Sequence, residues 1–261
     1  MEFWRGKWAL ITGASAGIGL ALAEELAAGG ANLILTARRR ERLGALAEKL
    51  SKQHGIRIEV FQADLTLPVA TEHIFAFTEK LRIAVDLLVN NAGFGTSGPF
   101  HTSDYTRQAE MVQVNVAAVV TLTHLYLRGM IERRRGDIMI VASNAAFQAV
   151  PYLTTYAATK AFDLLFAEAL AEEVRRYGIR VCALCPGPTV TEFQQVAGTP
   201  DSHLRYAESA AKVAHVGLEA LARGKSYVIS GGGNYLRTHI QRLVPRQFVT
   251  RMAEKMLRPP D

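Results

Sequence analysis

The sequence predicts an α/β fold in which a doubly wound, mostly parallel sheet of seven strands carries helices on both faces. Three observations lead there: seven short apolar runs rich in β-branched residues, longer stretches of helical period between them, and no Pro/Ser-rich linker or fixed-period repeat in the 261 residues. The strands are expected at 8–12, 32–36, 57–62, 85–90, 137–141, 180–185 and 226–230. Helical spacing separates them, as in Ala21, Leu22 and Leu26, then Leu43, Leu46 and Leu50. Strand and helix in alternation form right-handed βαβ crossovers, which set helices against both faces of the sheet. In such a sheet ligands bind beyond the carboxyl ends of the strands, where the strand order reverses. One domain is expected over residues 1–261, with its core at about 7–230 and a helical extension at about 234–258. Gly198, Thr199 and Pro200 break the periodicity inside a long connection, so a substrate lid is expected at about 189–209.

Composition narrows the function classes. With 49% of residues apolar and 21% charged, there is material for a buried core and little resemblance to a disordered chain. Residues 1–7 lack the apolar run of a secretory signal, and 111–127 is too polar and too short for a membrane span, so the cytoplasm is the expected compartment. The net charge of +6 comes from scattered basic residues, with short runs at Arg38, Arg39 and Arg40 and at Arg133, Arg134 and Arg135. These read as solvated helix ends and not as a nucleic-acid face. Beyond Asn234, Arg237, Arg242, Arg246, Arg251, Lys255 and Arg258 stand among apolar residues. An amphipathic closing helix with a wet basic face is favoured there, over the peripheral membrane contact that the same pattern allows. Cys182 and Cys185 have CxxC spacing, but they lie in a strand-like run where residues three apart point to opposite faces, and no second pair completes a zinc site. The seven histidines offer no metal-ligand spacing, and no metal is expected.

The chemistry is concentrated after the strands. From Thr12 the chain passes through Gly13, Ser15, Gly17, Ile18 and Gly19 into an apolar helix. Gly13 permits a tight turn, Gly17 lets a pyrophosphate approach the backbone, Gly19 permits close helix packing, and the free amides of the helix start suit phosphate. Sites that prefer NAD carry an acid at the end of the second strand. Here the residues are Thr36, Ala37 and Arg38, and a guanidinium without a carboxylate favours the 2′-phosphate of NADP(H). Asn90, Asn91, Ala92 and Gly93 offer a tight turn beneath a cofactor. Tyr156 and Lys160, four apart on a helical pattern, bring phenol and ammonium to one face. Free tyrosine, with a pKa of about 10, is a poor base at neutral pH, and a nearby ammonium favours its phenolate.

Together, the glycine motif from Thr12 to Gly19, Asn90 to Gly93, Asn115, Ser143, Tyr156 with Lys160, and Pro186 with Gly187 resemble the short-chain dehydrogenase/reductase family. The resemblance spans about residues 7–230, and its motif order is that of the single-domain, NADP(H)-preferring oxidoreductase branch. It implies Tyr156 as the acid/base at the substrate oxygen and Ser143 as a hydrogen-bond partner of that oxygen. Lys160 would lower the tyrosine pKa and hold the nicotinamide ribose, and Asn115 would anchor a water that feeds protons to Lys160. The implied cofactor contacts are Gly13, Ser15, Gly17, Ile18, Gly19, Arg38, Asp64, Leu65, Asn91, Ala92, Gly93, Tyr156, Lys160, Pro186, Gly187, Thr189 and Val190. Among them Asp64 would meet the adenine, Pro186 and Gly187 would back the nicotinamide, and Thr189 and Val190 would reach its carboxamide. Segments 102–128 and 153–177 resemble the family's packing surface, which implies a homodimer or homotetramer.

Phe94, Phe147, Val150, Pro151, Tyr152, Leu153 and Phe193 surround the expected site, and the first half of the lid has no Arg or Lys to hold an anionic head. An apolar or aromatic ketone, aldehyde or secondary alcohol is therefore the expected substrate. A 3-oxoacyl thioester reductase is the alternative, with His203, Arg205 and Lys212 placed to receive the carrier. A cofactor-sensing or scaffolding protein without turnover is a third reading, against which the complete set of Asn115, Ser143, Tyr156 and Lys160 speaks. A sugar-nucleotide epimerase or dehydratase would need different glycine spacing and a longer substrate region.

Overall fold

The computed structural model describes residues 2–198 and 207–258. Its strands are β1 (Trp8–Thr12), β2 (Asn32–Ala37), β3 (Ile58–Gln62), β4 (Val85–Asn90), β5 (Gly136–Val141), β6 (Ile179–Cys185), β7 (Thr189–Val190), β8 (Glu208–Ser209) and β9 (Tyr227–Ile229). The helices are α1 (Gly17–Ala28), α2 (Arg40–His54), α3 (Ala70–Lys80), α4 (Tyr105–Val112), α5 (Ala118–Glu132), α6 (Thr154–Val174), α7 (Phe193–Ala197), α8 (Ala210–Ala222), α9 (Gly232–Ile240) and α10 (Arg246–Leu257). The seven expected strands all form, each within a residue of its expected ends.

Those seven make one parallel sheet in the order β3-β2-β1-β4-β5-β6-β9. Its middle strands are apolar throughout because helices cover both faces; every residue of β1, β4 and β5 is buried. One face packs Leu22 and Leu26 of α1, Leu43 of α2 and Leu218 of α8. The other packs Ile74 of α3, Leu122 and Tyr126 of α5 and Leu164 of α6. Cys182 joins the first cluster and Cys185 the second, so the strand splits the CxxC pair between faces as expected. Burial pushes the Cys182 thiol up to about 12 and Cys185 higher still, which makes both poor thiolates. Strand order reverses between β1 and β4, and the chemistry expected of the sequence gathers beyond their carboxyl ends.

Three features differ from expectation. The lid segment is not an irregular loop: β7 pairs in parallel with β8, and α7 lies between them. Thr199, Pro200, His203 and Arg205 fall outside the described residues. The basic runs are not idle either. Arg133 donates to the Val85 carbonyl, Arg134 to the Arg176 carbonyl, and Arg135 pairs with Asp86 at 2.9 Å. Finally, α4 and α5 join through a π-helical turn, Gln113–Ala117, into a helix of 28 residues, Tyr105–Glu132. That helix is long and apolar enough to cross a membrane by length and composition, which the shorter segment 111–127 suggested it would not be. Its inward face, including Val119, Leu122 and Met130, packs against the sheet, and Met111 is buried too.

Candidate active site

The site is built on the stitched ends of β1 and β4. The Thr12 hydroxyl accepts from the amides of Asn91 and Ala92, both at 2.9 Å, and donates to the Val89 carbonyl. Asn91 Nδ2 donates back to the Thr12 carbonyl at 2.8 Å. Gly13 then turns at φ +68°, a left-handed conformation that favours glycine. Gly19 lies beneath the turn, where a Cβ would run into the Gly13 carbonyl and the Asn91 side chain. The helix therefore starts hard against the strand ends. No side chain caps α1, so its first amides stay free to meet an anion.

One cleft of about 540 Å³ runs from this loop across the strand ends. Sixteen of the expected residues line it: Gly13, Ser15, Gly17, Ile18, Arg38, Asp64, Leu65, Asn91, Ala92, Gly93, Ser143, Tyr156, Lys160, Pro186, Gly187 and Thr189. Three do not. Gly19 lies under the loop, and Asn115 is wholly buried behind the cleft wall. Val190 is 61% exposed because β7 alternates, turning Thr189 in and Val190 out. Thr191, which the sequence reading passed over, lines the cleft instead.

Tyr156 stands in the first turn of α6, with its ring against Phe193 of α7 at 5.1 Å between centroids. A Cβ at Gly95 would meet Phe193 and Tyr156 at 2.9 and 3.2 Å, so that glycine leaves room for both rings. Ser143 caps the short turn after β5, its Oγ accepting from the Ala145 amide at 3.1 Å. Lys160 is 5% exposed and donates to the Val141 carbonyl at 2.7 Å and to Asp163 Oδ2 at 3.0 Å. Burial alone would depress the Lys160 ammonium, but Asp163 and then Tyr156 outweigh it and hold its pKa above the ordinary lysine value. The ammonium is therefore a fixed positive charge at the cleft floor. Asn115 occupies the π-helical turn, where such turns often mark functional sites. Both of its amide hydrogens are used, Nδ2 donating to the Phe94 carbonyl and Thr159 Oγ1, and Oδ1 accepts from the Phe94 amide with one of its two lone pairs. In this geometry Asn115 fixes the Gly93 to Phe94 backbone beside Lys160.

Asp163 and Arg39 are two of the charged residues at the site that the sequence reading missed. Asp163 is fully buried, burial raises its carboxyl above the ordinary aspartate value, and it has Lys160 as its ion-pair partner. Its signal was available, an acid three residues past a lysine on one helix face. Arg39 is the second. It donates to Ser15 Oγ at 3.1 Å and pairs with Glu192 at 2.7 Å, while Arg38 is exposed at the same cleft edge. Hydrogen bonds from Arg42 and then Arg39 hold the Glu192 carboxyl below the ordinary glutamate range. Nothing in the local pattern separates Arg39 from Arg38; only the loop's path does.

The substrate end also differs from its expected lining. Phe94, Val150, Leu153 and Phe193 line the cleft, whereas Phe147, Pro151 and Tyr152 do not. Phe147 packs towards Tyr227, and Tyr152 donates its hydroxyl to Glu254 of α10. Arg237, Thr238, Gln241 and Leu257 of the C-terminal extension complete the wall. A cation, Arg237, therefore reaches this end of the cleft from the tail.

A glycine loop at a helix start, basic side chains without an acid at the end of β2, and a tyrosine and lysine on the cleft wall fit a nicotinamide dinucleotide. Residues 7–201 match the family model for short chain dehydrogenases. The chain belongs to the short-chain dehydrogenase/reductase family, whose members are oxidoreductases of CH–OH and C=O groups. It is similar to 17-beta-hydroxysteroid dehydrogenase type 3 of Mus musculus, 38% identical over 183 residues, which are 69% of this chain and 59% of that protein. The chain thus spans less than two thirds of that relative. It is also similar to very-long-chain 3-oxoacyl-CoA reductase of Anas platyrhynchos, 34% identical over 230 residues, 84% of this chain and 72% of that protein. Among solved structures, a short-chain dehydrogenase from Sphingobium yanoikuyae in complex with NADPH superposes with a TM-score of 0.82 at 31% identity, covering 91% of this chain and 94% of that one.

Proposed function

We propose that the protein is a cytoplasmic NADP(H)-dependent reductase or dehydrogenase of apolar ketones and secondary alcohols, with Tyr156 as the acid/base. The observation that carries this reading is that Ser143, Tyr156 and Lys160 line the same cleft as the glycine loop. The cofactor, when bound, supplies or accepts the hydride. The amides at the start of α1 and the glycine loop receive its pyrophosphate, Arg38 and Arg39 its 2′-phosphate, and Lys160 its nicotinamide ribose. Ser143 and Tyr156 hold the substrate oxygen. Tyr156 gives it a proton in reduction and takes one in oxidation, with the Lys160 charge close to the phenol. Asn115 keeps the Gly93 to Phe94 backbone in place.

The phosphate assignment has a direct check. Each charge-assisted contact to a phosphate contributes roughly 1.5–3 kcal/mol, so Arg39→Ala, alone or with Arg38→Ala, is expected to lower the NADPH/NADH ratio of kcat/KM at least tenfold. An unchanged ratio, or a wild type that prefers NADH, overturns it.

Phe94, Val150, Leu153, Phe193 and Leu257 support a bulky apolar substrate, in keeping with the hydroxysteroid relative. Arg237 at the cleft wall favours a second reading, a 3-oxoacyl thioester reductase, to which the Anas relative is parallel. Turnover of an aryl ketone against an acetoacetyl thioester with NADPH separates them. The first reading expects kcat/KM at least tenfold higher for the ketone, and the reverse order establishes the second. Exposed Val120, Phe162 and Leu165 on the outer faces of α5 and α6 support a homodimer or homotetramer built on those helices.

A further inference from the structure

The C-terminal helices bury little of themselves. Thr238 is the buried residue of α9 and Ala253 that of α10. Several large apolar side chains face outward instead: Leu236 is 60% exposed, Leu243 in the turn between the helices 86%, Phe248 57%, Met252 45% and Met256 74%. The packed apolar side of α10 is narrow, Ala253 with half-buried Val249 and Leu257, and a second apolar row is left in the open among the basic residues. Phe248, Met252 and Met256 recur every four residues and make one stripe along α10. Arg251 and Lys255, both exposed, stand beside that stripe, with Arg237 and Arg246 exposed nearby. Across 232–258, six Lys and Arg residues stand against the single carboxylate of Glu254, which Arg258 and Tyr152 already hold. The segment thus concentrates nearly all of the chain's net charge of +6.

An apolar stripe set in a cationic field matches the boundary between anionic lipid headgroups and acyl chains. A second copy of the chain would bring the same positive surface against itself across a two-fold contact, and like charges oppose that. We propose that α9 and α10 form a docking face for an anionic lipid bilayer, with Leu243, Phe248, Met252 and Met256 entering the headgroup region and Arg251 and Lys255 meeting lipid phosphates and carboxylates. The same helices and the turn between them wall the cleft through Arg237, Thr238, Gln241 and Leu257, so docking sets the cleft beside the lipid. Delivery of an apolar substrate from the bilayer then follows, and that consequence alone rests on the function proposed above.

The full chain is tested by co-sedimentation with phosphatidylcholine vesicles, with and without roughly 30% phosphatidylserine, in the absence of cofactor and substrate. Binding is expected to the anionic vesicles, at least about tenfold weaker to neutral vesicles and in high salt. A triple variant, Phe248→Glu with Met252→Glu and Met256→Glu, and separately Arg251→Gln with Lys255→Gln, should each lose about tenfold or more in affinity. None of these five side chains lines the cleft, so turnover of a soluble ketone should stay unchanged and report an intact fold. Absence of binding to the anionic vesicles overturns the proposal. So does a dimer in analytical ultracentrifugation that the triple variant splits while no vesicle binding is seen, since the face is then covered by a second copy.

Discussion

Tyr156→Phe is expected to lower kcat by about 10³- to 10⁴-fold while leaving NADPH affinity within about twofold, because the variant removes the proton-transferring hydroxyl and little else. The ring itself is held by Phe193 and by the absence of a side chain at Gly95, contacts that phenylalanine retains. Stopped-flow turnover with a ketone, paired with NADPH fluorescence titration, separates the two effects. Retained turnover would assign the proton to another group, whereas a wild type that binds NADPH without turnover would return the protein to the reading of a cofactor-binding sensor. Lost NADPH affinity would mean that the phenol serves the cofactor and not the substrate.

The second large effect is at Asp163. Replacing it with leucine leaves the Lys160 ammonium buried with the Val141 carbonyl as its remaining hydrogen-bond acceptor, and breaking a buried ion pair in this way costs about 3–5 kcal/mol. The denaturation midpoint of Asp163→Leu should fall accordingly, by several degrees or more for a chain of this size. Lys160→Met with Asp163→Leu removes both charges and should recover most of the stability, a coupling that a double-mutant cycle measures directly. Activity should not follow stability. The single variant is expected to lose about 10²-fold in kcat/KM through a displaced lysine, and the double variant should stay inactive. Asp163→Leu with wild-type stability and turnover would show that the pair neither holds the helix nor places Lys160.

Much of this was legible in the chain because it depends on local pattern. The strands follow from apolar β-branched runs, and their ends fall where glycine, asparagine and proline interrupt those runs. Gly13, Gly17 and Tyr156 with Lys160 could be read from short spacings because a turn or a helix face needs only nearby residues to define it. Val190 marks the limit of that reading. Its neighbour Thr189 faces the cleft, and which of two adjacent strand residues turns inward depends on pairing with β8, almost twenty positions further on.

Asn115 shows the same limit in chemical terms. Its place near the site could be read from the motif, but its partners, Phe94 and Thr159, lie on two other segments and take both of its amide hydrogens. Arg39 and Arg38 are equivalent in sequence, and only the path into α2 sends one to Ser15 and Glu192.

By itself the sequence determined the doubly wound sheet, the glycine cradle, the missing acid at the end of β2 and the tyrosine-lysine pair, since each is encoded over a few residues by backbone geometry and side-chain period. Tertiary structure alone decided that Asp163 becomes the buried partner of Lys160 and that Arg237 and Leu257 wall the substrate end. It likewise decided that Phe248, Met252 and Met256 of the tail face outward. Burial, charge pairing and exposure are properties of what packs against a residue, and for these residues the packing partners are set by distant parts of the chain.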